Sequence, residues 1–230
     1  MEDFQKIGVK GKELSVKEYF DLAIAAQKHP LSPGELGCTL SHMQALRDFI
    51  ASDEKYALVL EDDAIQIMDI DLNQFESEIE NLNLQDCFLM SLGGIQLKVN
   101  DRIYGRIQPK NIYNKSILKL HPYSIADFSY TYAYIVDKAM ARVLLDYHQK
   151  PHVCDHWDEL YQFNSNVHFY ATFLFDHPEI ITHTPITSSI EQERKLLLEK
   201  NKVKRSIFER LNRSFKKRWL KLFYERYVEF

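Results

Sequence analysis

A short apolar run that stops abruptly at three acids is the feature that most restricts how this chain can fold. Residues Tyr56–Leu60 are rich in strand formers, and Glu61-Asp62-Asp63 follow them at once. A continuous apolar run of this length predicts a strand buried on both faces. Open α/β sheets bind ligands at the carboxyl ends of their strands. The three acids therefore stand where such a sheet would hold a ligand.

Other segments repeat the alternation of strand and helix patterns. The apolar run Cys87–Leu92 ends at Gly93-Gly94, and Tyr132–Val136 leads into a helix that Asp137 is expected to cap. More strand material is predicted around residues 167–175 and 179–182, and helix from residue 190 to the end. Strands that alternate with helices predict an α/β sheet.

The segment before the acidic motif predicts an amphipathic helix. Ser32 is expected at its N-cap, Pro33 at its first position, and Glu35 three residues after the cap, as in a capping box. Apolar residues then recur at three- and four-residue steps, at Leu36, Leu40, Met43, Leu46 and Ile50. Taken alone, Glu35 is most simply a capping residue and His42 an ordinary helix histidine.

The acidic triplet itself has two interpretations. Clustered carboxylates repel one another unless a cation or hydrogen-bond donors compensate them, and hard oxygen ligands suit Mg²⁺ or Mn²⁺. The alternative is a solvated surface turn, and the preceding strand brings the two interpretations close to even.

The charges are distributed unevenly along the chain. Residues 194–230 hold 13 basic residues against 4 acidic ones, a net +9, so residues 1–193 carry −13 of the total of −4. On a helix, one face of this segment gathers apolar side chains and the other gathers basic ones. The apolar set is Ile207, Phe208, Leu211, Phe215, Trp219, Leu222 and Phe223, the basic set is Arg210, Arg213, Lys216, Lys217 and Lys221, and Leu220 fits neither.

Such a segment predicts a helix that lies in an anionic membrane interface. The alternatives are a helix that packs its aromatic face on the protein, and nucleic-acid binding, which the acidic body would oppose.

Composition and cysteine usage exclude several classes of protein. With 45% hydrophobic and 27% charged residues, the chain is neither disordered nor collagen-like. Three widely spaced cysteines without a C-x-x-C pair suggest neither a disulfide framework nor a zinc cluster, and are typical of a reducing compartment. The start lacks an apolar signal region and no segment is long enough to span a membrane. A cytoplasmic protein is the expectation.

Several motifs, taken in order, resemble glycosyltransferase family 25, the lipooligosaccharide-biosynthesis enzymes. They are L-S-P-G-E-L-G-C-T-L-S-H, Y-A-L-V-L-E-D-D, F-L-M-S-L-G-G, T-Y-A-Y-I-V-D-K-A-M-A-R-V-L-L, V-C-D-H-W and, more weakly, H-T-P-I-T-S-S-I near 183–190. The similarity spans roughly residues 5–190. It implies a GT-A-like domain over residues 1–190 followed by the basic helical tail, 191–230.

The resemblance also implies an activity: transfer of a hexose, most often galactose from UDP-galactose, to a lipooligosaccharide sugar, with inversion and a divalent metal, Mn²⁺ or Mg²⁺. Asp63 would be the direct metal ligand, Glu61 would act through the ribose or a metal-bound water, and His183 would be a third ligand or a plain strand-end histidine. Residues expected to line the nucleotide-sugar site are Glu61, Asp62, Gly93, Gly94, Tyr130 and Thr131, with Tyr134 as either a lining or a packing residue.

Inverting transfer needs a base near the acceptor hydroxyl, and Asp155 in V-C-D-H-W is the candidate. Its alternative role is an N-cap for the following helix. With the tail on an anionic surface, the enzyme would work at the inner face of the cytoplasmic membrane, without a nucleic-acid partner.

One departure from the family pattern concerns the beginning of the domain. Family members normally open with an I-N-L strand and a D-R pair, whereas this sequence carries only the following segment, Gly11-Lys12-Glu13-Leu14. Three explanations stay open: the nucleotide site is completed differently, the sequence lacks residues of the full protein, or the member is degenerate. The second functional hypothesis is accordingly a membrane-associated binding protein of the same fold without catalysis.

Overall fold

The computed structural model describes residues 4–25, 30–93, 102–157, 159–177, 215 and 218–227. The chain divides into two compact units. Of the described residues, the first unit contains 4–25, 30–53 and 142–154, and the second contains 54–93, 102–141, 155–157, 159–177, 215 and 218–227.

The described helices and strands confirm the α/β class. The helices are α1 Val16–Tyr19, continued by a π-helical turn Phe20–Ala25, α2 Pro33–Ala51, α3 Leu72–Leu82, α4 Pro122–Ile125, α5 Lys138–Tyr147 and α6 Leu160–Phe163. The strands are β1 Tyr56–Leu60, β2 Ile65–Gln66, β3 Phe88–Gly93, β4 Gly105–Ile107, β5 Leu118–Leu120, β6 Ala133–Asp137 and β7 His168–Asp176.

Helix α2 forms as its sequence predicts. The Ser32 hydroxyl accepts from the Glu35 backbone N–H, and the Glu35 carboxylate accepts from the Ser32 N–H, so the capping box is complete. Glu35 is therefore a capping residue. Gly37 on this helix allows close contact with an earlier segment, because a Cβ there would lie 2.8 Å from the backbone nitrogen of Gly11.

The second unit is built on one mixed sheet. Its strands follow the order β1-β6-β3-β7-β5-β4, and β2 also pairs with β7. Strands β3 and β7 are parallel, whereas β6 runs antiparallel to both β1 and β3. Alternation of strands and helices predicted the sheet but not this reversal of β6.

Helix α3 covers part of the sheet and completes its core. Its buried residues Phe75, Ile79 and Leu82 belong to the same cluster as Met90 of β3 and Ile135 of β6. Burying side chains of this size stabilises the folded state by roughly 1.5–3 kcal/mol each relative to exposure.

Asp137 ends β6 and caps the helix after it, as predicted. One carboxylate oxygen accepts from the Met140 N–H at 2.7 Å, and the other accepts from the Cys87 N–H at 2.7 Å. Burial raises the pKa of this carboxyl, while the backbone donors that it accepts from act in the opposite direction.

The end of the chain differs from the prediction of helix throughout. Residues 218–223 are helical, but Glu225 pairs with Gly105 of β4 through two backbone hydrogen bonds of 2.9 Å. The Glu225 carboxylate also accepts from the Ile107 N–H at 2.8 Å. These bonds satisfy backbone groups of β4 on the side that does not pair with β5. Most of the tail and the segment 179–182 lie outside the described residues.

Candidate active site at one edge of the sheet

Three strand ends and one strand start meet at the same edge of the sheet. Leu60 at the end of β1 pairs with Ala133 at the start of β6, and Gly93 at the end of β3 pairs with Phe175 near the end of β7. Because β6 is reversed, the residues just before it lie beside the residues just after β1. Glu61 and Thr131 come together in this way.

Glu61 is held by two residues of the segment just before β6. Its backbone N–H donates to the Tyr132 carbonyl at 2.8 Å, and its carboxylate accepts from the Thr131 hydroxyl at 2.7 Å. Its own carbonyl accepts from the Ala64 N–H, which turns the chain immediately after the acids. These bonds fix the direction of the Glu61 carboxylate at the sheet edge.

Asp63 pairs with a histidine that the sequence analysis did not select. Nε2 of His177, just after β7, lies 2.9 Å from Oδ2 of Asp63. The other oxygen, Oδ1, is shielded from solvent and has no hydrogen-bond partner among the described residues. An unpaired buried carboxylate oxygen is costly unless a donor or a cation meets it. Asp62, between Glu61 and Asp63 in the chain, is exposed to solvent.

Gly93 and Tyr132 form a tight wall of this edge. A Cβ at Gly93 would lie 2.4 Å from the Tyr132 ring, so no other residue fits there without a shift. The Tyr132 ring lies 5.2 Å from the ring of His177 and 6.3 Å from that of Tyr130, between centroids. Tyr132 thus connects β3, the end of β7 and the segment before β6.

Asp155 contacts the same segment from another part of the chain. Its Oδ2 accepts from the Tyr130 N–H at 3.1 Å, and Tyr130 has a positive φ of 72°. Its Oδ1 is buried without a hydrogen-bond partner among the residues described here. The alternative role as a helix N-cap is not seen, because Glu159 occupies that position of α6.

The structure thus brings most of the selected residues together. Glu61, Asp63, Gly93, Thr131 and Tyr130 share this edge, and Asp155 joins it through Tyr130. Tyr134 is buried within β6, which fits its interpretation as a packing residue. Gly94 and His183 lie outside the described residues. His177 could have been found from the sequence only as a histidine directly after the predicted strand around 167–175.

Comparison of the chain with models of protein families identifies the family that contains this site. The model of glycosyltransferase family 25 (LPS biosynthesis protein) matches residues 5–158. The chain belongs to glycosyltransferase family 25. The matched range contains the acidic motif, the Tyr130–Tyr132 segment and Asp155, so all three are part of the family 25 region. No curated protein sequence matches the chain.

Membership in family 25 supports glycosyltransferase activity in lipopolysaccharide biosynthesis. Such an enzyme uses a nucleotide-sugar donor and a glycan acceptor. In the part of the chain that the structure describes, no helix combines the length and apolarity needed to cross a bilayer.

Proposed function

We propose that this family 25 protein is a metal-dependent, inverting hexosyltransferase with a GT-A-like fold. Its donor is UDP-galactose and its acceptor is a sugar of a lipooligosaccharide. The observation that carries the proposal is the Asp63–His177 pair, because one Asp63 oxygen is left buried and unpaired at the sheet edge where the acidic motif ends.

Two side chains at this edge would hold a divalent cation. Asp63 offers the unpaired Oδ1 and His177 an imidazole nitrogen, whereas the Glu61 carboxylate does not converge with both of them within 4.8 Å and would act through the ribose or a metal-bound water. Carboxylate oxygens with one imidazole suit Mn²⁺, which accepts nitrogen more readily than Mg²⁺ does. When bound, such an ion neutralises the charge that develops on the leaving nucleoside diphosphate.

The chain itself orients the donor. The Glu61 carboxylate is held toward the edge, where a ribose hydroxyl can donate to it, and Asp62 stands next to it in an exposed position. Gly93 leaves room for the Tyr132 ring against the end of β3, and this ring would form one wall of the sugar site. Tyr130 and Thr131 bound the opposite side.

Asp155 is proposed as the base that deprotonates the acceptor hydroxyl. Its Oδ2 is occupied by the Tyr130 N–H, whereas Oδ1 has no partner and can accept a proton. Its bond to Tyr130 connects it with the segment that positions Glu61. Donor and acceptor would therefore be aligned through residues 130–132.

The described part of the tail supports attachment to an anionic membrane surface. Leu222 is 77% exposed and Phe223 is 64% exposed, whereas Leu220, which fits neither helical face, is 4% exposed. Exposed aromatic and aliphatic side chains on a basic segment can insert below anionic headgroups. The protein would then act at the inner face of the cytoplasmic membrane, where a lipid-linked acceptor is presented.

Release of UDP from UDP-galactose, with lipooligosaccharide acceptor and Mn²⁺, tests the proposal. Wild-type protein should turn over, a chelator should stop it, and Asp63→Asn should lower the rate by about a hundredfold or more, as loss of a preorganised electrostatic group does. Lys12→Gln, a change in the first unit, serves as the matched control and should keep the activity.

Calorimetry separates this function from the non-catalytic alternative. Titration of UDP in the presence of Mn²⁺ should produce a clear heat of binding with the wild type and a small one with Asp63→Asn. A protein that binds neither UDP nor UDP-galactose and releases no UDP with any donor would overturn the proposal.

A further inference from the structure

Two cysteines and a histidine come together in the first unit, away in sequence from the acidic motif. Cys38 and His42 lie on α2, and Cys154 follows α5 after a loop. The two Sγ atoms are 3.3 Å apart, although the residues are 116 positions apart in the chain. One ligand atom from each of the three residues lies within 4.8 Å of the others.

The arrangement follows from helix geometry and one anchoring bond. Residues four apart on a helix share a face, so Cys38 and His42 present their side chains on the same side of α2. The hydroxyl of Thr39, next to Cys38, donates to the His152 carbonyl at 2.7 Å. That bond holds the segment before Cys154 against α2.

We propose that Cys38, His42 and Cys154 form a site for Zn²⁺, a cation that thiolates and imidazoles prefer. Zinc binds sulfur at about 2.3 Å and histidine nitrogen at about 2.0–2.1 Å, so tetrahedral ligands lie roughly 3.5–4 Å apart. The two sulfurs, 3.3 Å apart, are close to that range, and all three ligand atoms lie within 4.8 Å of one another, so side-chain rotations alone would bring them to a common ion. Water completes the fourth position, and the ion joins α2 to the chain after α5.

The surroundings favour a neutral cluster. His42 is 6% exposed and His148, which interacts electrostatically with it, is 5% exposed. Because both histidines are buried, an uncompensated charge in this part of the unit would be costly. Two thiolates and a divalent cation sum to zero, which makes the loaded site compatible with its burial.

A disulfide between the two cysteines is the main competitor. It would need an S–S distance of about 2.05 Å and a two-electron oxidant. A metal site uses all three side chains and needs no oxidant.

The test loads the reduced full-length protein with Co²⁺ and then with Zn²⁺. Wild type should show the thiolate-to-cobalt charge-transfer absorption, lose it when Zn²⁺ is added, and retain one zinc per chain after desalting. Cys38→Ser and Cys154→Ser should lose that absorption, and His42→Gln should bind zinc more weakly. Circular dichroism establishes that each variant is folded.

Cys87→Ser is the matched cysteine control. Cys87 lies in the other unit, and burial raises the pKa of its thiol to about 11, which keeps it protonated at neutral pH. This variant should bind cobalt as the wild type does.

The inference does not rest on sugar transfer, and Asp63→Asn should keep the absorption because thiolates alone produce it. Reduced wild-type protein without the charge-transfer absorption would overturn the proposal, whatever the variants do. So would undiminished zinc binding by Cys38→Ser/Cys154→Ser, or a Cys38–Cys154 disulfide found in protein that binds no metal after reduction.

Discussion

The Thr131 hydroxyl donates a 2.7 Å hydrogen bond to the carboxylate of Glu61, from a residue that is almost fully buried. The two residues are 70 positions apart and meet because β6 runs antiparallel to β1. A carboxylate held in this way loses little conformational freedom when a ligand binds to it.

Replacing Thr131 by Val removes this bond and keeps the shape of the side chain. A hydrogen bond to a charged group contributes about 1.5–3 kcal/mol, so kcat/KM for the sugar donor should fall by roughly 10- to 100-fold. Steady-state UDP release measures the change. Thr131→Ser keeps the hydroxyl, so its kcat/KM should stay within a few-fold of the wild-type value. A Thr131→Val variant as active as the wild type would refute the positioning role.

Two substitutions at Asp155 separate proton transfer from backbone support. Asp155→Asn can still accept from the Tyr130 N–H but cannot act as a base, so turnover should fall by about 10²–10⁴-fold while UDP affinity is kept. Asp155→Ala removes both roles and should also weaken UDP binding, since Tyr130 and the segment after it lose their support. An Asn variant with wild-type turnover would exclude Asp155 as the base.

A methyl group at Gly93 should destabilise the second unit. The Cβ of Gly93→Ala would lie 2.4 Å from the Tyr132 ring, and overpacking of this kind costs about 1–3 kcal/mol. The melting temperature should fall by roughly 2–10 °C in a thermal melt. Gly8→Ala is the control, because a Cβ there meets nothing within 4 Å. Equal melting temperatures for the two variants would contradict the close contact.

Charges placed on the exposed tail residues should weaken membrane attachment. Leu222→Glu and Phe223→Glu each remove apolar area and add a charge that anionic lipids repel, so less protein should sediment with phosphatidylglycerol vesicles. Val16→Glu, at an 88% exposed apolar position in the first unit, should sediment as the wild type does. Unchanged sedimentation of both tail variants would rule out this surface as the anchor.

Local signals in the sequence predicted much of the fold. Ser32, Pro33 and Glu35 mark the start of α2, and the apolar run Tyr56–Leu60 marks β1. The prediction that this strand is buried on both faces is wrong, because β1 stands at one end of the strand order and is only partly buried along its length. The pairing of β6 between β1 and β3 could not be predicted in this way, since it depends on contacts between segments that are distant in the chain. The mixed sheet is therefore a structural finding.

The sequence analysis selected the acids of the candidate site, but it did not select His177 or, in the first unit, the pair Cys38 and Cys154. Glu61 and Asp63 stand directly after a strand, which is a pattern that the sequence displays. His177 follows a strand as a single residue, and nothing in its neighbourhood distinguishes it. Cys38 and Cys154 lack a short spacing between them, so only the folded chain reveals that they are neighbours.

The pairing of Glu225 with Gly105 also governs how the tail can be studied. Strand β4 lies at one end of the strand order, and Glu225 occupies backbone groups that would otherwise be open to another strand. Unprotected strand edges promote edge-to-edge aggregation. A truncation that removes the whole tail would expose this edge and make the protein prone to aggregation. Sedimentation of a truncated chain would then report self-association as readily as lipid binding.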